Sequence, residues 1–94
     1  MNIRVVRFTD VSPERMDELK SRIESGEGPP PESRSSGVKV LFDRDQGTAV
    51  VLQYFDTADD LAAGEAYFAG MDPADTPGTR ASVDRCEVAL DRTG

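Results

Sequence analysis

The chain has no histidine and no tryptophan, one cysteine (Cys86) and one asparagine (Asn2). Without histidine there is no Ser–His or Cys–His couple. The commonest ligand for zinc and haem is missing too, and so is the side chain that titrates near neutral pH unaided. A lone cysteine cannot close an internal disulfide, so nothing in the composition calls for an oxidising compartment. Paired cysteines and a nucleotide-binding glycine motif are lacking as well, and the expectation is a protein with no metal and no cofactor. No apolar run approaches the roughly 20 residues that span a bilayer. The opening Met1-Asn2-Ile3-Arg4 does not begin a basic-then-apolar leader. Basic charge is scarce: 11 Lys and Arg against 18 Asp and Glu leave a net charge of −7. That balance disfavours nucleic acid and anionic membrane as partners, since both reward positive charge. A cytoplasmic protein that binds neither is expected.

What is present is organised around a hairpin, residues 38–55. Two runs rich in β-branched and aromatic residues, Val38 to Phe42 and Thr48 to Phe55, flank a polar turn. Read as a three-residue loop, Asp45-Gln46-Gly47 places glycine where a left-handed residue is needed. This register pairs Phe42 with Val50, Val40 with Leu52 and Lys39 with Gln53. One face then carries Val38, Val40, Phe42, Val50, Leu52 and Tyr54. The other carries Lys39, Leu41, Asp43, Ala49, Val51, Gln53 and Phe55. A four-residue loop would flip one strand and put Gln53 among the apolar residues, so the shorter loop is preferred.

The rest of the chain falls into place around the hairpin. Ile3 to Phe8 alternates Ile3, Val5 and Arg7 with Arg4, Val6 and Phe8, and both sets are partly apolar, as in a central strand. Ser12 is a natural N-cap, Pro13 fits the first helical position, and Val11 and Met16 sit at staple positions. Met16, Leu19 and Ile23 form the stripe of that helix, which Gly26 ends. Ser25 to Gly37 reads as a Gly/Pro/Ser connection, either a lid or simply mobile. Thr57 caps a second helix, with Asp59 and Asp60 at its positive end and Leu61, Gly64, Phe68 and Met71 on one face. Gly70 and Pro73 close it. Arg80 to Leu90 is a last strand, alternating Val83, Arg85 and Glu87 with Asp84, Cys86, Val88 and Leu90.

The order strand, helix, strand, strand, helix, strand over residues 1–94 predicts a single α+β domain. The arrangement is a ferredoxin-like βαββαβ with a four-stranded antiparallel sheet. Two helices cover one face. The other, expected to hold Leu41, Val51, Phe55 and Val83, needs a second copy of the chain, and a homodimer is the expected partner.

The run Asp43 to Leu61, with its Tyr54-Phe55-Asp56 step into Asp59-Asp60-Leu61, resembles the dimeric α+β barrel superfamily, especially antibiotic-biosynthesis-monooxygenase-like domains. Ala81 to Val88 resembles the last strand of such domains. The resemblance implies two sheets packed into a shared barrel, with a cavity in each protomer between sheet and helices or loops. Characterised members rely on asparagine, tryptophan or histidine in that cavity, so no catalytic residue carries over to this chain.

Several residues have candidate chemistry. Arg7, Lys39, Gln53 and Arg85 are expected on the face away from the helices, where they either grip an anionic or carbonyl ligand or pair with Asp43 and Glu87. Tyr54 and Tyr67 either donate a proton or orient a phenol-like substrate, or they stand in the core with the hydroxyl at its edge. Cys86 lacks a local activator and reads as a small buried hydrophobe. Asp43, Asp45 and Gly47 imitate the start of a calcium loop, but the later ligands are missing and a hairpin turn fits better. Gly26-Glu27-Gly28 has neither the strand nor the lysine of a phosphate loop, and Pro29-Pro30-Pro31 reads as a stiff loop. Three functions follow. The first is a barrel dimer that binds a small aromatic or polyketide-like anion. The second is a cofactor-independent monooxygenase or related enzyme of the antibiotic-biosynthesis-monooxygenase type, and the third a structural or regulatory dimer module without a ligand.

Overall fold

The structure, a computed structural model, describes residues 1–25, 33–69 and 77–92. Its elements are β1 (Asn2–Thr9), α1 (Pro13–Glu24), β2 (Gly37–Asp43), β3 (Thr48–Phe55), α2 (Ala58–Ala69) and β4 (Thr79–Glu87). The strands form one antiparallel sheet in the order β2-β3-β1-β4. This α+β architecture is compatible with the ferredoxin-like fold expected from the element order. No helix among the described residues is long and apolar enough to cross a membrane. Gly26, Gly70, Met71 and Pro73, together with most of the Ser25–Gly37 connection, lie outside the described residues.

The helix starts form as their sequences dictate. Ser12 is extended and its hydroxyl accepts from the Arg15 N–H at 3.2 Å, with Pro13 in the first turn. The Thr57 hydroxyl accepts from the Asp60 N–H at 3.1 Å. Both satisfy amide donors that a helix start leaves without carbonyl partners.

The hairpin departs from expectation in its register. The observed pairs are Asp43–Thr48, Phe42–Ala49, Val40–Val51 and Val38–Gln53, so the loop has four residues, Arg44 to Gly47. Asp43 decides this. Its carboxylate accepts from the Asp45 and Gln46 backbone N–H groups at 3.1 and 3.2 Å and from Gln46 Nε2 at 2.8 Å. The loop closes with the Gly47 N–H on the Asp43 carbonyl, at 2.9 Å. Gly47 takes the left-handed conformation, with φ +67°. An aspartate in this position organises the turn from its own side chain.

A one-residue change flips every side chain of β3. Val51, Gln53 and Phe55 therefore turn toward the helices, and Val50, Leu52 and Tyr54 turn away from them. The helix-side face reads as cross-strand rows. Val40, Val51, Val6 and Val83 form an all-valine row, and Phe42, Ala49 and Phe8 form the next. Val6, Phe8 and Ala49 are buried with Val11 and with Met16 of α1, and Leu19 packs against them. Phe55 is fully buried and lies against Gly64 of α2. The placement of Val51, Phe55 and Val83 on the uncovered face with Leu41 is thus corrected: all three belong to the core side.

The uncovered face carries Ile3, Val5 and Arg7 of β1, Lys39 and Leu41 of β2, and Val50, Leu52 and Tyr54 of β3. Leu41 is 47% exposed. Ser82, Asp84 and Cys86 continue it on β4, whose pairing with β1 shifts by one residue at Ala81. Cys86 is exposed there, and not buried as its apolar neighbours in the alternation suggested, because β4 is an edge strand. Leu90, read as part of this strand, lies beyond its end and is 83% exposed.

Candidate functional site

Next to the valine row the helix-side face turns polar. Gln53, Arg4 and Arg85 stand opposite one another on β3, β1 and β4. Alternation along β1 puts Arg4 on the side of Val6 and Phe8, so the strand that builds the core also carries a guanidinium into it. Arg4 is 5% exposed and Gln53 8%. Arg4 Nη1 donates to Gln53 Oε1 at 2.8 Å. Arg4 Nε is buried and has no hydrogen-bond partner among the described residues.

The second helix roofs this row. Leu61 and Gly64 are its buried residues. One turn further along the same stripe stand Glu65 and Phe68. The Phe68 ring covers the Arg4 guanidinium, with 5.6 Å from its carbon to the ring centroid. Glu65 forms an ion pair with Arg85. Its carboxyl is held below the usual range, first by the hydrogen bond from Arg85, against some loss of hydration. Burial lowers the Arg4 pKa, Glu65 opposes this, and Arg80 and Arg85 add to it. A guanidinium starts so high that it stays charged.

One carboxylate therefore faces two guanidiniums on adjacent strands, leaving a local excess of positive charge in an acidic protein. The arrangement offers donors, a cation and an aromatic face. It suits a small oxyanion with a flat apolar body. Among the described residues no group of three or more Cys, Asp or Glu side chains is placed to hold a metal ion.

The residues expected to act together are divided by the register. Gln53 and Arg85 face α2, whereas Arg7 and Lys39 are exposed on the other side of the sheet. Arg85 pairs with Glu65 rather than with Glu87. Tyr54 is half-buried on the uncovered face, opposite Ile3 and Gly37. Tyr67 is exposed and stands edge-on to Phe68, with centroids 5.3 Å apart. The sequence reading missed Arg4, Glu65 and Phe68 as site residues. The available signal was Arg4 itself, one charge in an otherwise apolar alternating set with Val6 and Phe8.

The chain matches no protein-family model, and no curated protein matches it significantly.

Proposed function

We propose that this chain is a small-molecule-binding domain whose ligand is a partly aromatic anion, held between the sheet and α2 on Arg4. The observation that carries this reading is the buried Arg4 Nε without a hydrogen-bond partner among the described residues. Leaving such a donor unanswered in the interior costs about 1–3 kcal/mol, and more when the group is charged. A ligand oxygen would remove that cost. The aromatic part of the ligand is argued from Phe68, which already covers the guanidinium.

The proposal includes a homodimer of the dimeric α+β barrel kind. Its support is the uncovered face, where Ile3, Val5, Leu41, Val50, Leu52 and Tyr54 form an apolar field, interrupted by Arg7 and Lys39, with neither of the described helices over it. Binding is favoured over catalysis because the chain has no histidine, the commonest general base near neutral pH.

A thermal-shift series of aromatic carboxylates and their uncharged amides tests the ligand class. Carboxylates such as benzoate should raise the melting temperature and the amides should not. Arg4→Met, checked for folding by circular dichroism, should lose the effect. Equal shifts with acid and amide, or none with either, would overturn the reading.

A further inference from the structure

The site holds its own anion. Glu65 is placed by α2 one turn beyond Leu61, over the β1–β4 pair, and it engages Arg85 while acting electrostatically on Arg4. The two guanidiniums differ in what they have left to offer. Arg85 is mostly exposed at the sheet edge and has its counter-ion; Arg4 is buried, gives Nη1 to Gln53, and keeps an Nε unanswered among the described residues. An oxyanion arriving at Arg4 would enter the field of the Glu65 carboxylate. Two like charges close together in a partly buried site oppose each other.

Resting on the anion-binding reading above, we propose that Glu65 is the internal counter-ion of the site and competes with the ligand's carboxylate for the two arginines. The carboxylate takes the Nε edge of Arg4, and Glu65 stays with Arg85 at the edge of the sheet. Glu65 thereby sets how tightly an anion is held. It also selects for a single negative charge, because a second charge on the ligand would have to displace Glu65 from Arg85. Glu65 acts here by its charge, on the arginines and on the approaching anion, without touching the ligand.

The test uses benzoate and benzamide as probes, titrated by NMR into the full-length protein and into Glu65→Gln and Arg85→Gln variants. Removing the competing charge should tighten benzoate about ten-fold in Glu65→Gln, the scale of one nearby partly hydrated charge, and leave benzamide unchanged. Arg85→Gln frees Glu65 for Arg4 and should weaken benzoate. The tightening in Glu65→Gln should shrink as salt is raised. If benzoate binds the parent and Glu65→Gln equally, the anion site stands and the role of Glu65 is overturned. If benzamide moves in parallel with benzoate, Glu65 only shapes the site and the inference fails. If benzoate binds neither protein, the anion site itself fails and this inference with it.

Discussion

Gly64 of α2 sits directly on the ring of Phe55 in β3, so closely that a methyl group has no room. A Cβ at this position would stand 2.7 Å from Phe55 Cζ and 2.5 Å from the carbonyl oxygen of Ser33. Phe55 and Ser33 are both fully buried and have nowhere to retreat. Two effects of Gly64→Ala oppose each other. Alanine in a helix interior gains about 1 kcal/mol over glycine. Overpacking a filled core costs about 1–3 kcal/mol, and more against a rigid carbonyl. The clash should win, and urea unfolding should show a net loss of about 1–2 kcal/mol. A midpoint unchanged or raised would mean that α2 does not seat on Phe55 as described.

The Arg4–Gln53 pair should show strong coupling. Gln53→Leu takes away the acceptor for Arg4 Nη1 and adds a second unanswered donor to the one at Nε. A loss of about 1–3 kcal/mol is expected. Replacing both partners, Arg4→Met with Gln53→Leu, removes the buried charge and both donors together. The double variant should regain much of that stability, as apolar replacements of buried polar pairs often do. A double-variant cycle by chemical denaturation measures the coupling, and simple additivity would count against a buried, bonded pair.

This pair also marks where the sequence was legible and where it was not. The caps at Ser12 and Thr57, the left-handed Gly47 and the order of elements depend on neighbours in the chain, and local chemistry was enough to read them. The register of the hairpin depends on what lies across the sheet. Gln53 looked misplaced on an apolar face because its partner is 49 residues away in the chain. With Arg4 opposite, the polar residue on the core side is satisfied, and the penalty that argued for the shorter loop disappears. Everything assigned by face then moved with β3. Val51 and Phe55 went into the core, and the proposed cluster of Arg7, Lys39, Gln53 and Arg85 was divided between the two sides.

The hairpin turn should respond to acid through Asp43. Its carboxyl is held below the ordinary value, first by the Gln46 side-chain amide and then by the Gln46 and Asp45 backbone N–H groups. A pKa lower in the folded state than in the unfolded one contributes stability that is fully present above the unfolded value. It is lost as pH falls through the folded value. The contribution should therefore be flat near neutrality and fade only in the acid carboxylate range. Carboxyl chemical shifts followed against pH should give a depressed midpoint for Asp43. In Asp43→Asn this share of the acid sensitivity should vanish, and an ordinary midpoint in the parent protein would contradict the turn geometry.

Val50 and Val51 are consecutive and face opposite ways, which makes them a paired test of the proposed assembly. Val51 lies in the all-valine row and packs against the core. Val50 lies opposite Arg7 and Leu41 on the uncovered face. A glutamate at position 51 would bury an unpaired charge, so Val51→Glu should unfold the protomer whatever its oligomeric state. Val50→Glu leaves the core alone and puts the charge where a second copy would seat. A specific interface of standard size buries roughly 1,200–2,000 Å². Even with Arg7 beside it, a glutamate desolvated in that interface should split the dimer and leave folded monomers. Sedimentation at micromolar concentration together with circular dichroism reads both outcomes. A parent protein that sediments as a monomer would overturn the dimer. A Val50→Glu variant that remains a dimer would move the interface to another surface, and a folded Val51→Glu would overturn the register on which both faces depend.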